Sequence, residues 1–228
     1  MAQQFTLEER PSDSPYIQKV WRARSLHESI FTSVANSYWE LVVSRIDGKT
    51  TLTLRGPETK ATEMTCPANA EFVGIVFKPG VYMPYFPPHE LYDLRDRELP
   101  SVTPATFRLN GELWHFPTFN NAESFVARLV REGLLVHDSV VENTLKGESL
   151  EGTQRTVQRH FLQTVGLPKR TLKRIEQAHY AANLLAKGMS IDTVAIEAGY
   201  ADQSHLNRSL KHFLGLTPAQ IQAKNSKQ

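Results

Sequence analysis

The chain has few of the features that mark secreted, membrane or thiolate-rich proteins. One of its 228 residues is a cysteine, Cys66, which excludes an intrachain disulfide framework and a cluster of thiolate metal ligands. No stretch approaches the roughly 18 uninterrupted apolar residues of a membrane helix. The first residues, MAQQFTLEERPSDSPY, also lack the basic and then apolar order of a signal peptide. We therefore expect a folded cytoplasmic protein with no membrane partner.

The length and the charge distribution predict two domains with different partners. A chain of 228 residues has room for two cores of ordinary size. Residues 153–228 hold 11 Lys and Arg against 4 Asp and Glu, whereas residues 1–152 hold 15 against 20. A basic C-terminal segment indicates a polyanionic partner.

The first part of the chain is rich in predicted strands. β-Branched and aromatic residues concentrate in four segments, with turn signals between them, and Asp47-Gly48 predicts a tight hairpin. The four segments are 16–24, 38–46, 50–56 and 71–78. We expect an antiparallel sheet or barrel.

The pattern then changes twice. Prolines crowd residues 79–104, which favours an ordered irregular loop, and from Asn121 the apolar spacing becomes helical, with Phe125, Leu129 and Val130 on one side behind an asparagine cap. The predicted fold class is α+β, with a β-rich, barrel-like domain at 1–137 and an all-α domain at 138–228.

A pseudo-repeat carries the functional interpretation. At an offset of 49 residues, TQRTVQRHFLQTVGL (153–167) aligns with DQSHLNRSLKHFLGL (202–216), matching the cap residues Thr153 and Asp202 and the glycines Gly166 and Gly215. Each copy predicts an amphipathic helix with apolar residues at i, i+4 and i+8. These are Val157, Phe161 and Val165 in the first copy and Leu206, Leu210 and Leu214 in the second.

The sequence around each copy predicts a helix-turn-helix unit. Before the second copy, SIDTVAIEAGY supplies a short helix capped by Ser190 and a turn at Gly199, while VVENTLKGESLEG is a weaker equivalent before the first. Between the copies, PKRTLKRIEQAHYAANLLAKG predicts a linker helix of about 20 residues and about 30 Å. That length is close to the roughly 34 Å between successive major grooves on one face of DNA.

The polar faces of the repeated helices are suited to a major groove. Arginine forks match guanine, amides match adenine, and both also bind phosphates. The predicted base-reading residues are Arg155, Gln158 and Arg159 in the first copy and Gln203, Ser204, His205, Asn207 and Arg208 in the second. The predicted phosphate contacts are Lys169, Arg170, Lys173, Arg174 and Lys211.

At these residues the chain resembles the AraC/XylS family of bacterial transcription regulators. The signature is GYADQSHLNRSLKHFLGLTPAQIQ (199–222), preceded by MSIDTVAIEA, and the resemblance covers about 138–224. It implies a DNA-binding domain with two helix-turn-helix units joined by a long linker helix. VFKPGVYMPYFPPHELYDL is similar to a stretch in the N-terminal domains of some AraC-like regulators, which in the wider family sense small molecules or dimerise.

Other features allow competing interpretations. His89, Glu90, Asp93 and His115 have no spacing of a known metal motif, so we expect no metal or other cofactor and no catalytic set. Cys66 is interpreted as a structural thiol, with alkyl transfer to it, in an enzyme targeted to DNA, as the alternative. The aromatic side chains are assigned to the core or to an effector pocket. They are Trp21, Trp39, Trp114, Tyr82, Tyr85 and Phe86.

The leading hypothesis is therefore a sequence-specific transcription regulator of double-stranded DNA. A small-molecule effector, RNA polymerase and a second copy of the chain are the further partners that it allows. A purely architectural or protein-interaction module is a further hypothesis, and base preference separates it from the leading one.

Overall fold

The computed structural model describes residues 5–93, 95–146 and 154–225. Within these ranges strands dominate the first half of the chain and helices the second. The strands are β1 (Phe5–Pro11), β2 (Ile17–Ser25), β3 (Ser29–Ser33), β4 (Glu40–Ile46), β5 (Lys49–Arg55), β6 (Thr62–Cys66), β7 (Glu71–Phe77), β8 (Val81–Tyr82), β9 (Arg97–Leu99), β10 (Ser101–Thr103), β11 (Thr106–Leu109), β12 (Glu112–His115) and β13 (Val136–His137). The helices are α1 (Pro88–Leu91), α2 (Ala122–Arg131), α3 (Ser139–Lys146), α4 (Gln154–Val165), α5 (Lys169–Ala186), α6 (Ile191–Glu197), α7 (Gln203–Leu214) and α8 (Pro218–Asn225).

An antiparallel sheet organises the first half of the chain. Among the described residues its strand order is β1-β2-β7-β4-β5-β9, and the four predicted strands correspond to β2, β4, β5 and β7. The predicted hairpin is confirmed: Asp47 and Gly48 have φ of 49° and 76°, and Ile46 pairs with Lys49. Positive φ at both turn residues matches the twist of the flanking strands. The α+β fold class is confirmed.

Large aromatic side chains fill the core beside this sheet. The rings of Trp39 and Phe77 stack with their centroids 4.2 Å apart, and Trp114 meets Phe125 edge-on at 5.9 Å. Trp39 and Trp114 are therefore core residues. The apolar side of α2, including Phe125 and Leu129, is buried as its spacing predicts.

Two local predictions were wrong. Asn121 precedes α2, but its side chain makes no cap bond to the helix; instead Oδ1 accepts from the backbone N–H of Thr118 at 2.7 Å. The segment 79–104 is not wholly irregular, because it contains β8, α1, β9 and β10. These elements span two to four residues each, too few for a periodic pattern to identify.

The backbone contacts divide the chain into two compact units. Unit 1 comprises Met1–Ile30, Tyr38–Pro57 and Thr65–Leu167; unit 2 comprises Phe31–Ser37, Glu58–Met64 and Pro168–Gln228. Helices α3 and α4 thus group with the sheet, and α5 to α8 form the helical part of unit 2. The functional domains 1–137 and 138–228 remain a prediction.

Each unit holds its helices by internal packing. In unit 1, α4 packs against α1, α3 and β8. A Cβ on Gly166 would lie 2.7 Å from the carbonyl carbon of Pro88, so this close approach requires glycine. In unit 2, α5 packs against α6, α7 and α8. No helix among the described residues is both long and apolar enough to cross a membrane.

Candidate nucleic-acid interface

The predicted repeat appears as two helices of equal length. Helices α4 and α7 each contain 12 residues, at the same offset of 49. Both are followed by a left-handed glycine, Gly166 with φ of 80° and Gly215 with φ of 71°. The N–H of each glycine donates to the carbonyl four residues earlier, on Leu162 and on Lys211, at 3.1 Å in both cases. The two copies therefore end in the same way.

The beginnings of the helices follow the predicted capping in the second copy. The carboxylate of Asp202 accepts from the backbone N–H of His205 at 2.6 Å, and Ser190 Oγ accepts from Thr193 N at 3.2 Å at the start of α6. The predicted cap of the first copy, Thr153, lies outside the described residues. Local hydrogen bonds thus fix the starts of both α6 and α7.

One side of each repeated helix is buried, so the opposite side of the same helix faces outward. Phe161 and Val165 in α4, and Leu206, Leu210 and Leu214 in α7, are buried. Val157 is half-buried. The confirmed apolar stripes leave the polar faces directed away from the packed side.

The predicted base-reading residues lie on these outer faces. All three α4 candidates, Arg155, Gln158 and Arg159, are exposed, as are Gln203, Ser204, Asn207 and Arg208 in α7. His205 is half-buried, since its ring meets that of Tyr200 edge-on at 5.1 Å. Gln203 Nε2 donates to Asp192 Oδ1 on α6, which links the start of α7 to the preceding helix.

The linker helix α5 carries most of the predicted phosphate contacts. It contains 18 residues and so extends about 27 Å at the standard rise. Arg170, Lys173 and Arg174 are exposed and Lys169 is half-buried; Lys211 is exposed on α7. The guanidinium carbon of Arg174 lies 5.5 Å from the centre of the Phe213 ring.

The buried side of α5 differs from the prediction at one position. The apolar spacing of this helix predicts one inward side formed by Leu172, Ile175, Ala178, Ala182 and Leu185. All of these are buried except Ala182, which is half-buried, and Ala181 is the buried alanine of the fourth turn.

Two contacts that sequence reasoning missed fix the turn between α6 and α7. Gln177 Nε2 on α5 donates to the carbonyl oxygens of Ala198 and Gly199 at 2.7 and 3.2 Å. The hydroxyls of Tyr200 and Ser209 lie 3.0 Å apart, and burial raises the pKa of Tyr200, opposed by the Ser209 hydrogen bond and the charge of Arg174. Neither contact leaves a periodic pattern in the sequence.

Arg159 also lines an open groove within unit 1, with a volume of about 430 Å³. This places a predicted base reader beside the proline-rich segment. The other lining residues are Tyr82, Pro84, Pro87, His89, Leu162 and Gln163. Tyr85 is exposed, and Trp21, Tyr82 and Phe86 are half-buried.

The remaining candidates occupy separate places in the fold. Cys66 is buried at the end of β6. His89 and Glu90 are exposed on α1, whereas His115 ends β12. Among the described residues no three or more His, Cys, Asp or Glu side chains are grouped so as to hold a metal ion.

The comparisons with known proteins identify the class of the C-terminal region. Residues 148–224 match a family model described as a helix-turn-helix domain. The predicted resemblance to AraC/XylS regulators is thereby confirmed for this segment.

The chain is also similar to individual proteins, one a transcriptional regulator and others solved structures. The HTH-type transcriptional regulator VirS of Mycobacterium tuberculosis is 38% identical over 77 residues, which are 33% of this chain and 22% of VirS. Two solved structures of ToxT from Vibrio cholerae each align with 97% of this chain and with 98% and 99% of ToxT. Their TM-scores are 0.40 and 0.42, at 11% and 10% identity, and the second is bound to (E)-4-(8-methylnaphthalen-1-yl)but-3-enoic acid.

Proposed function

We propose that the chain is a sequence-specific DNA-binding transcription regulator that reads duplex DNA with α7 and α4. The observation that carries the proposal is the geometry of α7, which is capped at its start by Asp202, buried along one side, and exposed along a face that presents Gln203, Asn207 and Arg208. Amide and guanidinium groups on a rigid helix are suited to base edges in the major groove.

The charge of the C-terminal segment supports the same interpretation. Residues 153–228 carry a net charge of +7, with 11 basic and 4 acidic side chains. Exposed cations on α5 and α7 provide phosphate contacts that hold the protein on the duplex without reading its sequence. The four exposed candidates, Arg170, Lys173, Arg174 and Lys211, predict a slope of about −3.6 for log K against log salt.

The repeat extends the proposal to a second reader. Helix α4 has the length and the glycine end of α7 and also presents exposed arginines, so we infer that the two helices enter successive major grooves. The N-terminal domain at 1–137 then supplies modulation, through a small-molecule effector or through a second copy of the chain.

Selection from a randomised DNA pool tests the proposal, followed by footprinting on the enriched duplex. We expect two protected major-groove segments about ten base pairs apart, and affinity that falls steeply with salt. Arg155→Ala in α4 and Arg208→Ala in α7 form a matched pair that should relax base preference in different segments. Failure to enrich any duplex contradicts DNA reading altogether, whereas an effect of Arg208→Ala alone contradicts the role of α4.

A further inference from the structure

Two segments from the strand-rich half of the chain belong to the same compact unit as α5 to α8. They are Phe31–Ser37 and Glu58–Met64, called here the clamp segments. The first includes the end of β3 and precedes β4, and the second includes the start of β6 and lies between β5 and β7. Neither segment contributes to the helix-turn-helix sequence motif, so their contacts with it come from tertiary structure.

The clamp segments complete the C-terminal end of α7. The last four carbonyls of an α-helix have no partner within the helix. In α7 the carbonyl of Lys211 accepts from Gly215 N, that of His212 accepts from Ala61 N at 2.8 Å, and that of Phe213 accepts from Ala35 N at 2.7 Å. One of these bonds is local, and the other two come from the clamp segments.

Close packing at Gly215 reinforces these two hydrogen bonds. A Cβ on this glycine would lie 3.0 Å from Cγ2 of Thr32 and 3.3 Å from Cβ of Ala61. The backbone therefore turns out of α7 directly against both clamp segments. A side chain here would displace one of them or shift the helix end.

The clamp segments are also tied to each other and to α5. Ser33 Oγ donates to Glu58 Oε1 at 2.7 Å, and the N–H of Asn36 donates to the carbonyl of Glu58 at 2.9 Å. His179 on α5 lies with Nε2 2.7 Å from the carbonyl of Ala35 and donates to it. Ala35 thus bonds α7 through its N–H and α5 through its carbonyl.

We propose that the clamp segments are positioning elements for DNA reading, because they set the placement of α7 on α5. The inference rests on the proposed function, since it assigns base reading to α7. It adds that the second reader is completed by residues far outside the matched helix-turn-helix segment. A change in the clamp segments should therefore alter both the DNA affinity and the base preference of α7, although these segments lie far from α7 in the sequence.

A pair of glycine variants of the full chain tests this. Gly215 and Gly188 both have positive φ, 71° and 85°, so alanine brings similar backbone strain to each, but a Cβ on Gly188 meets nothing within 4 Å. On the duplex enriched by the wild-type chain we expect Gly215→Ala to bind about 10-fold more weakly than Gly188→Ala. Thr32→Ser removes the contacting Cγ2 and should restore most of this affinity in the Gly215→Ala background.

A second pair of variants replaces the side chain of His179 on α5 and changes no glycine. His179→Gln keeps a donor for the carbonyl of Ala35 and should retain the wild-type base preference in a repeated selection, whereas His179→Phe should lose it. Thermal melting tests whether each variant is folded, and the His179 pair decides between the outcomes if Gly215→Ala does not fold. Equal DNA affinity of Gly215→Ala and Gly188→Ala, or an unchanged base preference of His179→Phe, contradicts the proposed role of the clamp segments. Failure of the wild-type chain to enrich DNA instead overturns the proposed function.

Discussion

Tyr200 and Ser209 share a buried hydrogen bond, with 3.0 Å between their hydroxyl oxygens. Tyr200 follows the turn after α6, and Ser209 faces inward from the middle of α7. The bond therefore joins the turn after α6 to α7. Burial raises the pKa of Tyr200 above its ordinary value of 10.0, opposed by the Ser209 hydrogen bond and the charge of Arg174.

Tyr200→Phe should lower the free energy of unfolding by about 1 to 2 kcal/mol, because it leaves the Ser209 hydroxyl buried and short of a partner. Urea unfolding followed by circular dichroism measures the change. Ser209→Ala and the double variant complete a cycle in which the double variant should lose less than the two single losses added together. Strict additivity would contradict a coupled pair.

Arg208→Ala and Lys211→Ala should have different effects, although both remove an exposed cation from α7. If Arg208 reads a base, its loss costs about 1 to 3 kcal/mol at particular positions of the site and relaxes preference there. Lys211→Ala should weaken binding to all duplexes alike and reduce the salt slope by about 1. Binding titrations on the enriched duplex and its single-base variants distinguish the two, and equal losses on every duplex for both variants would show that neither reads bases.

Asp192→Ala should change the base preference at the position that Gln203 faces. Gln203 Nε2 donates to the Asp192 carboxylate, which leaves the amide with one N–H and its carbonyl oxygen to meet DNA. Removing the carboxylate releases the amide from the orientation that this bond imposes, so that one N–H and the carbonyl oxygen can turn together toward adenine. Repeated selection should show a shift toward adenine at one position, and Asp192→Asn, which keeps an acceptor, serves as the control. An unchanged profile for Asp192→Ala would mean that the pair does not control reading.

The Arg10 and Glu123 pair makes part of the stability of unit 1 depend on acid pH. A two-pronged bond at 2.5 and 2.8 Å holds the pKa of Glu123 at about 2, below its ordinary value of 4.5. Since the folded value is depressed, the stabilisation is complete above about pH 4.5 and is lost as the pH falls toward 2. The effect should be about 1 kcal/mol or less, because 39% of the Glu123 side chain is exposed.

Urea unfolding at pH 6 and pH 3 measures this contribution. The Glu123→Gln variant should lose less stability than the wild type between these two values. An equal loss in both chains would show that the pair does not contribute to the acid sensitivity.

The sequence predicted those elements whose own residues form a recognisable local pattern. The Asp47-Gly48 hairpin, the buried strands around it and the two 12-residue helices were predictable, because turn chemistry and apolar spacing are local properties. Strand β1 was missed, since its side chains from Thr6 to Glu9 are exposed on both faces and no alternation shows in its sequence. Strands β8, β9 and β13, of two or three residues, exist through their partners in space.

The candidate interface was likewise predictable only in part. Spacing placed Gln203, Asn207 and Arg208 on one exposed face, which the structure shows. It did not reveal that Asp192 engages Gln203, that Gln177 holds the turn after α6, or that His205 is half-buried against Tyr200. Such contacts join residues on different elements, and no repeat in the chain encodes them.

By itself the sequence determined the two repeated helices, since capping residues, an apolar stripe and a terminal glycine act within a few turns of chain. Tertiary structure alone decided that Ala35 and Ala61 supply the last hydrogen bonds of α7. The N–H of each is separated by roughly 150 or more residues from the carbonyl that accepts it, and a backbone amide has no side-chain signature. Only folding brings such groups together, because the orphan carbonyls at a helix end take whichever donors the packed chain places beside them.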